Sequence, residues 1–137
     1  LRRFLVTTVR RFWHWYRDHQ PGLSFYELIP QDRPARLYFD LEFYRASNPG
    51  VIEEVLINDF NACVSEDMLV LEASTETKFS EHVIVHLHGG YLFPSNIAMK
   101  PFIAELEKKM FSSGRCLVWN ADATKLVTLC DTAVYSL

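Results

Sequence analysis

Two carboxylates on one predicted strand could bind a metal ion together. In residues 37–43 apolar side chains alternate with polar ones, which is typical of a half-buried strand. Successive side chains of a strand point to opposite faces, so Asp40 and Glu42 share a face, roughly 6 to 7 Å apart. Two like charges at that distance favour a shared hard cation, because it offsets their repulsion. The alternative is an exposed sheet face with two solvated acids.

A second predicted strand offers hydrogen-bond donors to an anion. Residues 78–88 alternate in the same way, and Lys78, Ser80 and His82 fall on one face. An ammonium, a hydroxyl and an imidazole can satisfy the oxygens of a triphosphate. Carboxylates are ionised at neutral pH and prefer Mg²⁺ or Mn²⁺. If both strands belong to one sheet, the combination indicates phosphoryl or nucleotidyl transfer.

The elements around these strands predict a mixed fold. Apolar residues at helical spacing predict helices over residues 4–19, 51–63 and 101–111. The remaining apolar or alternating runs predict strands over residues 23–29, 36–44, 68–73, 78–88, 116–119, 126–130 and 133–137. We expect the first two strands to form a hairpin and the third to be buried, with Trp13 and Trp119 in the core. The fold class is α+β, a mixed and largely antiparallel sheet flanked by helices.

The length and composition fit one globular domain. The chain has 137 residues, of which 49% are apolar and 14% aromatic, enough for a hydrophobic core. It starts at Leu1 and stops within an apolar run, so we expect a piece of a longer protein. The three cysteines form no Cys-x-x-Cys pair, which argues against a structural zinc site and predicts reduced core thiols at Cys63, Cys116 and Cys130.

The net charge and the hydropathy limit the partners. A protein that binds nucleic acid through phosphates usually has a basic excess, whereas this chain has a net charge of −3. A polyanion must therefore be bound by a local patch. No apolar run approaches the roughly 18 residues of a membrane span, so we expect no membrane partner.

Four short stretches together resemble the eukaryotic primase-polymerases (PrimPol), a family of the archaeo-eukaryotic primase superfamily. The resemblance covers most of the chain from about Phe12. The four stretches occur in the family's order and at its spacing, and they are FYELIP at 25–30, LYFDLEF at 37–43, NPG at 48–50 and KFSEH at 78–82. Their joint occurrence is far more specific than any one of them.

The resemblance implies a metal-binding set. The family's first motif, Asp-x-Glu, matches Asp40 and Glu42. A third motif supplies one more metal-binding aspartate, and the segment DTAVY at 131–135 is similar to it, which makes Asp131 the third ligand. These three residues are the implied catalytic residues, and two Mn²⁺ or Mg²⁺ ions are the implied cofactors.

The resemblance also implies a nucleotide-binding set. The family's second motif, Ser-x-His with a preceding lysine, matches Ser80, His82 and Lys78, which would bind the phosphates of the incoming nucleotide. The tyrosine that matches Tyr26 lies near the nucleotide's sugar in the family, which implies a part in sugar selection.

The implied function is template-directed nucleotidyl transfer by a DNA primase and DNA polymerase. The metals would activate a 3′-hydroxyl of a primer on a DNA template for attack on a nucleoside triphosphate. The family resemblance also implies damage-tolerant, translesion synthesis under replication stress, a location in the nucleus and/or mitochondrion, and a single-strand DNA-binding protein as partner through regions outside this chain. Two alternatives stay open: a catalytically inactive nucleic-acid-binding module, and a metal-dependent phosphodiesterase, which needs no triphosphate-binding row.

The chain also departs from the family's pattern. The span between His82 and Asp131 is shorter, and the family continues with a segment bearing Asn and Arg that this chain does not contain. The resemblance therefore implies a single, truncated catalytic core over residues 1–137, with an RRM-like palm and without the family's C-terminal zinc-binding domain.

Overall fold

The computed structural model describes residues 5–18, 28–63 and 67–135. Within these ranges the chain forms three α-helices and five strands in two antiparallel sheets, which confirms the predicted α+β class. The helices are α1 (Val9–Asp18), α2 (Glu53–Cys63) and α3 (Lys100–Ser113). The strands are β1 (Leu37–Tyr44), β2 (Asp67–Glu72), β3 (Lys78–His86), β4 (Leu117–Trp119) and β5 (Leu126–Thr128).

The larger sheet has the order β1-β3-β2, with β3 in the centre. β1 pairs with β3 along its whole length, from Leu37 opposite Val85 to Tyr44 opposite Lys78. The alternation seen in the sequence is the alternation of burial, since every second residue of β1 is in the core. Aromatic contacts tie this face to its neighbours, with Phe39 meeting Phe60 of α2 edge to face at 5.1 Å between ring centroids.

The second edge of β1 is bound by residues that follow β5. The amide of Glu42 donates to the carbonyl of Leu129 at 3.0 Å, and the amide of Asp131 donates to the carbonyl of Asp40 at 2.7 Å. β1 is thus hydrogen-bonded on both sides, by β3 and by residues 129–131. This pairing connects the two sheets and brings Asp131 to the strand that holds Asp40 and Glu42.

The prediction of a strand over residues 133–137 is wrong. Residues 132–135 form a 3₁₀ turn instead, because the Asp131 carboxylate accepts a hydrogen bond from the amide of Ala133 at 2.9 Å, as in a helix cap. The buried Tyr135 fixes the turn by donating its hydroxyl to the carbonyl of Tyr38. In return the Tyr38 hydroxyl donates to the carbonyl of Val134 at 3.1 Å.

Several predicted boundaries shift for local reasons. α1 begins at Val9 rather than at residue 4, because the Thr8 hydroxyl accepts from the amide of Arg11 at 3.3 Å and caps the helix. α3 continues to Ser113 and ends at Gly114, whose φ of 68° suits glycine at a helix end. β3 ends at His86, before a 3₁₀ turn.

The predicted hairpin falls mainly outside the described residues. Residues 23–27, including Tyr26, are not described, and residues 28 and 29 belong to no strand. The strand that pairs with β1 along its length is β3.

Two predictions of burial are also wrong. β2 forms as expected but is largely exposed, because it is an edge strand whose single partner in the described sheet is β3. Trp13 and Trp119 are 59% and 43% exposed rather than in the core. The expected burial of the cysteine thiols is confirmed for Cys116 and Cys130, whereas the side chain of Cys63 lies outside the described part of the structure. No helix in the described ranges combines the length and apolar character required to cross a bilayer.

The buried side chain of Asn48 holds the end of β1 against β4. Its amide nitrogen donates to the carbonyls of Tyr44 and Trp119, both at 2.9 Å, and its oxygen accepts from the Trp119 amide at 2.7 Å. Asn48 is 5% exposed, so water cannot replace these bonds.

We predict that Asn48→Ala lowers the free energy of unfolding by about 2 to 4 kcal/mol, from three lost bonds of about 1 kcal/mol each. Denaturant unfolding measures this difference. The matched control is Asn58→Ala on the exposed side of α2, which we expect to change stability little. Equal effects of the two substitutions would contradict the bridging role of Asn48.

Candidate metal and nucleotide site

The register of β1 and β3 places acids and donors side by side. Asp40 lies directly opposite His82, and Glu42 lies directly opposite Ser80. Directly opposite residues of an antiparallel pair project on the same face, so these four side chains form one patch. Lys78 lies opposite Tyr44, one diagonal step from Glu42. The structure therefore brings the predicted acidic pair and the predicted donor row together.

The third carboxylate comes from a distant part of the chain. Because the Asp131 amide is bonded to the carbonyl of Asp40, the Asp131 side chain starts beside the acidic pair. One potential ligand atom from each of Asp40, Glu42 and Asp131 lies within 4.8 Å of the other two. Three carboxylate oxygens at such distances form a suitable ligand set for a hard divalent cation.

Burial distinguishes the carboxylate of Asp40. Its side chain is 16% exposed, and its Oδ1 atom is buried with no hydrogen-bond partner in the described part of the chain. Burial raises the pKa of Asp40 above its ordinary value; the nearby Glu42 and Asp131 raise it further, whereas His82 opposes the rise. His82 Nδ1 stands 3.7 Å from that same Oδ1. An acceptor that is buried, anionic and without a donor fits a metal ligand.

Lys78 neutralises part of this negative charge. Its ammonium forms an ion pair and hydrogen bond with Glu42 Oε2, and this bond raises the pKa of Lys78. The nitrogen also lies 5.7 Å from the centroid of the Tyr44 ring, within the range of a cation–π contact.

Ser80 lies deeper than the other donors, and its backbone is fixed by the loop before β3. Its amide donates to the Ser74 hydroxyl at 2.9 Å, and its carbonyl accepts from the Ala73 amide at 2.9 Å. Ser80 is buried, so it could reach an anion only at the bottom of the patch.

A groove opens beside the carboxylates. It has a volume of about 400 Å³ and extends from Glu42 and Asp131 to the hairpin of β4 and β5, where Trp119 and Lys125 line it. This size is in the range of small-molecule sites.

The sequence did not single out either hairpin residue, since Trp119 was expected in the core. The local pattern predicts both strands of the hairpin but not their place beside the carboxylates, because that place depends on long-range pairing. Tyr26, the predicted contact to the sugar, lies outside the described residues.

Comparisons with known proteins agree with the motif pattern. No protein-family model matches the chain. Curated relatives named "DNA-directed primase/polymerase protein" do match: the Bos taurus protein is 37% identical over 123 residues, which is 80% of this chain and 22% of that protein. The Homo sapiens protein is 38% identical over 119 residues, 77% of this chain and 21% of that protein. The Gallus gallus protein is 38% identical over 118 residues, 74% of this chain and 20% of that protein. The chain thus spans about a fifth of the length of these relatives.

We predict that Asp40→Asn stabilises the fold when divalent metal is removed by a chelator. The folded pKa of Asp40 is raised, so the protonated form favours folding, and this contribution is lost as the pH rises through the folded pKa. Asn removes the charge, and we expect a gain of about 1 kcal/mol at neutral pH that shrinks in acid.

Thermal unfolding over a series of pH values measures this gain. The control is Asp122→Asn, because Asp122 is exposed and its pKa is lowered by hydrogen bonds from Thr124, so no gain is expected there. A destabilised Asp40→Asn protein in chelator would contradict the electrostatic description of the site.

Proposed function

We propose that Asp40, Glu42 and Asp131 form the metal centre of a template-directed nucleotidyltransferase. The proposal is supported by the similarity of the chain, over about three quarters of its length, to proteins named DNA-directed primase/polymerase. The same relatives support an archaeo-eukaryotic primase core as the fold type. The observation that carries the proposal is the convergence of the three carboxylates beside Lys78 and His82.

The residues fit the metal ions that the family resemblance implies. The ligand atoms are carboxylate oxygens, which hard cations such as Mg²⁺ and Mn²⁺ prefer. Within the described ranges, the Oδ1 atom of Asp40 is buried without a hydrogen-bond donor, so it can accept a cation. When bound, two such ions would lower the pKa of a primer's 3′-hydroxyl and offset the charge of the leaving pyrophosphate.

The protein's own groups position the reactants. Lys78 and His82 lie on the same face as the carboxylates, so a triphosphate that they bind has its α-phosphate next to Asp40 and Glu42. The 3′-oxygen then forms a bond to that phosphorus while the bond to pyrophosphate breaks. Lys78 donates to the phosphate oxygens and stabilises the charge that develops on pyrophosphate.

The DNA partners follow from the proposed reaction. A primer and a template must approach the open face of β1 and β3, and the substrate is a nucleoside triphosphate. Because the net charge of the chain is −3, the cations at the carboxylates would supply much of the local attraction for phosphate. Damage-tolerant synthesis, a nuclear or mitochondrial location and a single-strand DNA-binding partner stay predictions from the resemblance.

We predict that replacing both Asp40 and Glu42 by Ala in the intact protein lowers primer extension by more than about 100-fold, because the metal ligands are lost. The assay measures nucleotide incorporation into a labelled primer with Mn²⁺ or Mg²⁺. The control replaces the exposed acids Glu105 and Asp122 by Ala, which removes the same charge elsewhere. Undiminished incorporation by the first variant would refute the metal centre.

A further inference from the structure

Lys78 is placed where it competes with a metal ion. Its ammonium is bonded to Oε2 of Glu42, one of the two carboxylate oxygens that Glu42 can offer to the proposed metal centre. We propose that Lys78 is an internal counter-ion of this centre, which must leave Glu42 before that oxygen binds a metal and which is then free for the triphosphate. This inference rests on the proposed function and adds a coupling between metal and nucleotide.

The contact follows from the strand register rather than from a loop. Lys78 and Tyr44 are directly opposite in the β1–β3 pair, and Glu42 is two residues from Tyr44 on the same face. The Lys78 ammonium lies over the Tyr44 ring, 5.7 Å from its centroid, which is a second contact that holds the ammonium near Glu42. Lys78 and Glu42 are about 30% exposed, so the ammonium can leave into solvent without breaking the core.

The charges indicate when the ammonium leaves. Three ionised carboxylates and one ammonium sum to two negative charges, which a single divalent ion balances. A second divalent ion would leave the site with two positive charges unless an anion enters with it. The triphosphate supplies that anion, and its oxygens are a second acceptor for the Lys78 ammonium. Nucleotide binding therefore releases Glu42 for metal, and Lys78 disfavours the second ion until nucleotide is present.

A nearby lysine separates this specific contact from the general effect of positive charge. Lys125 lines the same groove as Glu42 and Asp131, but the described residues show no ion pair for it. Lys125→Met thus removes one positive charge near the carboxylates without removing a bond to them. Lys78→Arg keeps the positive charge and a hydrogen-bond donor. It therefore tests whether Mn²⁺ affinity depends on the ion pair with Glu42 or on the lysine side chain itself.

The experiment is a Mn²⁺ titration of the intact protein without nucleotide. At each point, electron paramagnetic resonance measures the concentration of the free ion. We expect Lys78→Met to bind Mn²⁺ about two- to fivefold more tightly than the wild type, the range for release of a partly exposed ion pair. Lys78→Arg should retain the wild-type affinity, and Lys125→Met should tighten binding less than Lys78→Met. With a non-reactive nucleoside triphosphate present, the advantage of Lys78→Met should disappear.

Unchanged or weaker Mn²⁺ binding by Lys78→Met would overturn the inference, and so would equal tightening by Lys125→Met. Asp40→Asn distinguishes this failure from a failure of the metal centre itself. If Asp40→Asn reduces Mn²⁺ binding while Lys78→Met leaves it unchanged, only the role of Lys78 is refuted. If Asp40→Asn leaves Mn²⁺ binding unchanged, both the metal centre and the role of Lys78 are refuted.

Discussion

The site depends on the register of the antiparallel pair β1 and β3. This register sets Asp40 opposite His82 and Glu42 opposite Ser80, and it turns the leucines and phenylalanines of β1 toward the core. A slip by one residue would exchange the two faces and bury the acids. The buried face of β1, with Phe39 against α2, therefore fixes the chemistry of the opposite face.

The same pairing concentrates like charge, which opposes folding. The three carboxylates gather within 4.8 Å, and one Asp40 oxygen is buried without a partner in the described structure. Three features hold the site together against this repulsion: the apolar face of β1, the backbone bonds to residues 129–131, and the hydrogen bonds from Tyr135 to the Tyr38 carbonyl and from Tyr38 to the Val134 carbonyl. Destabilising arrangements of this kind are common at functional sites, where binding of a ligand offsets them.

The sequence predicts the elements that depend on local periodicity. It does not predict the contacts that depend on pairing between distant segments of the chain. Period-two alternation predicted β1, β3 and the shared faces of Asp40 with Glu42 and of Lys78 with His82, and the structure places them accordingly. The nearness of Asp131 depends on pairing across some ninety residues, so only the family resemblance suggested it. Residues 133–137 have strand-like composition, yet the Asp131 cap and the Tyr135 hydroxyl bond make residues 132–135 a 3₁₀ turn. The bond from Lys78 to Glu42 is diagonal, and alternation alone does not predict it.

The proposed metal centre can be tested by the position of bound Mn²⁺ in crystals of the protein soaked with the metal and a nucleoside triphosphate. Anomalous diffraction locates the ions without reference to the surrounding side chains. The structure predicts anomalous peaks within coordination distance of carboxylate oxygens of Asp40, Glu42 and Asp131, with the triphosphate against Lys78 and His82. Peaks away from Asp40 and Glu42, with those carboxylates left without metal, would contradict the account.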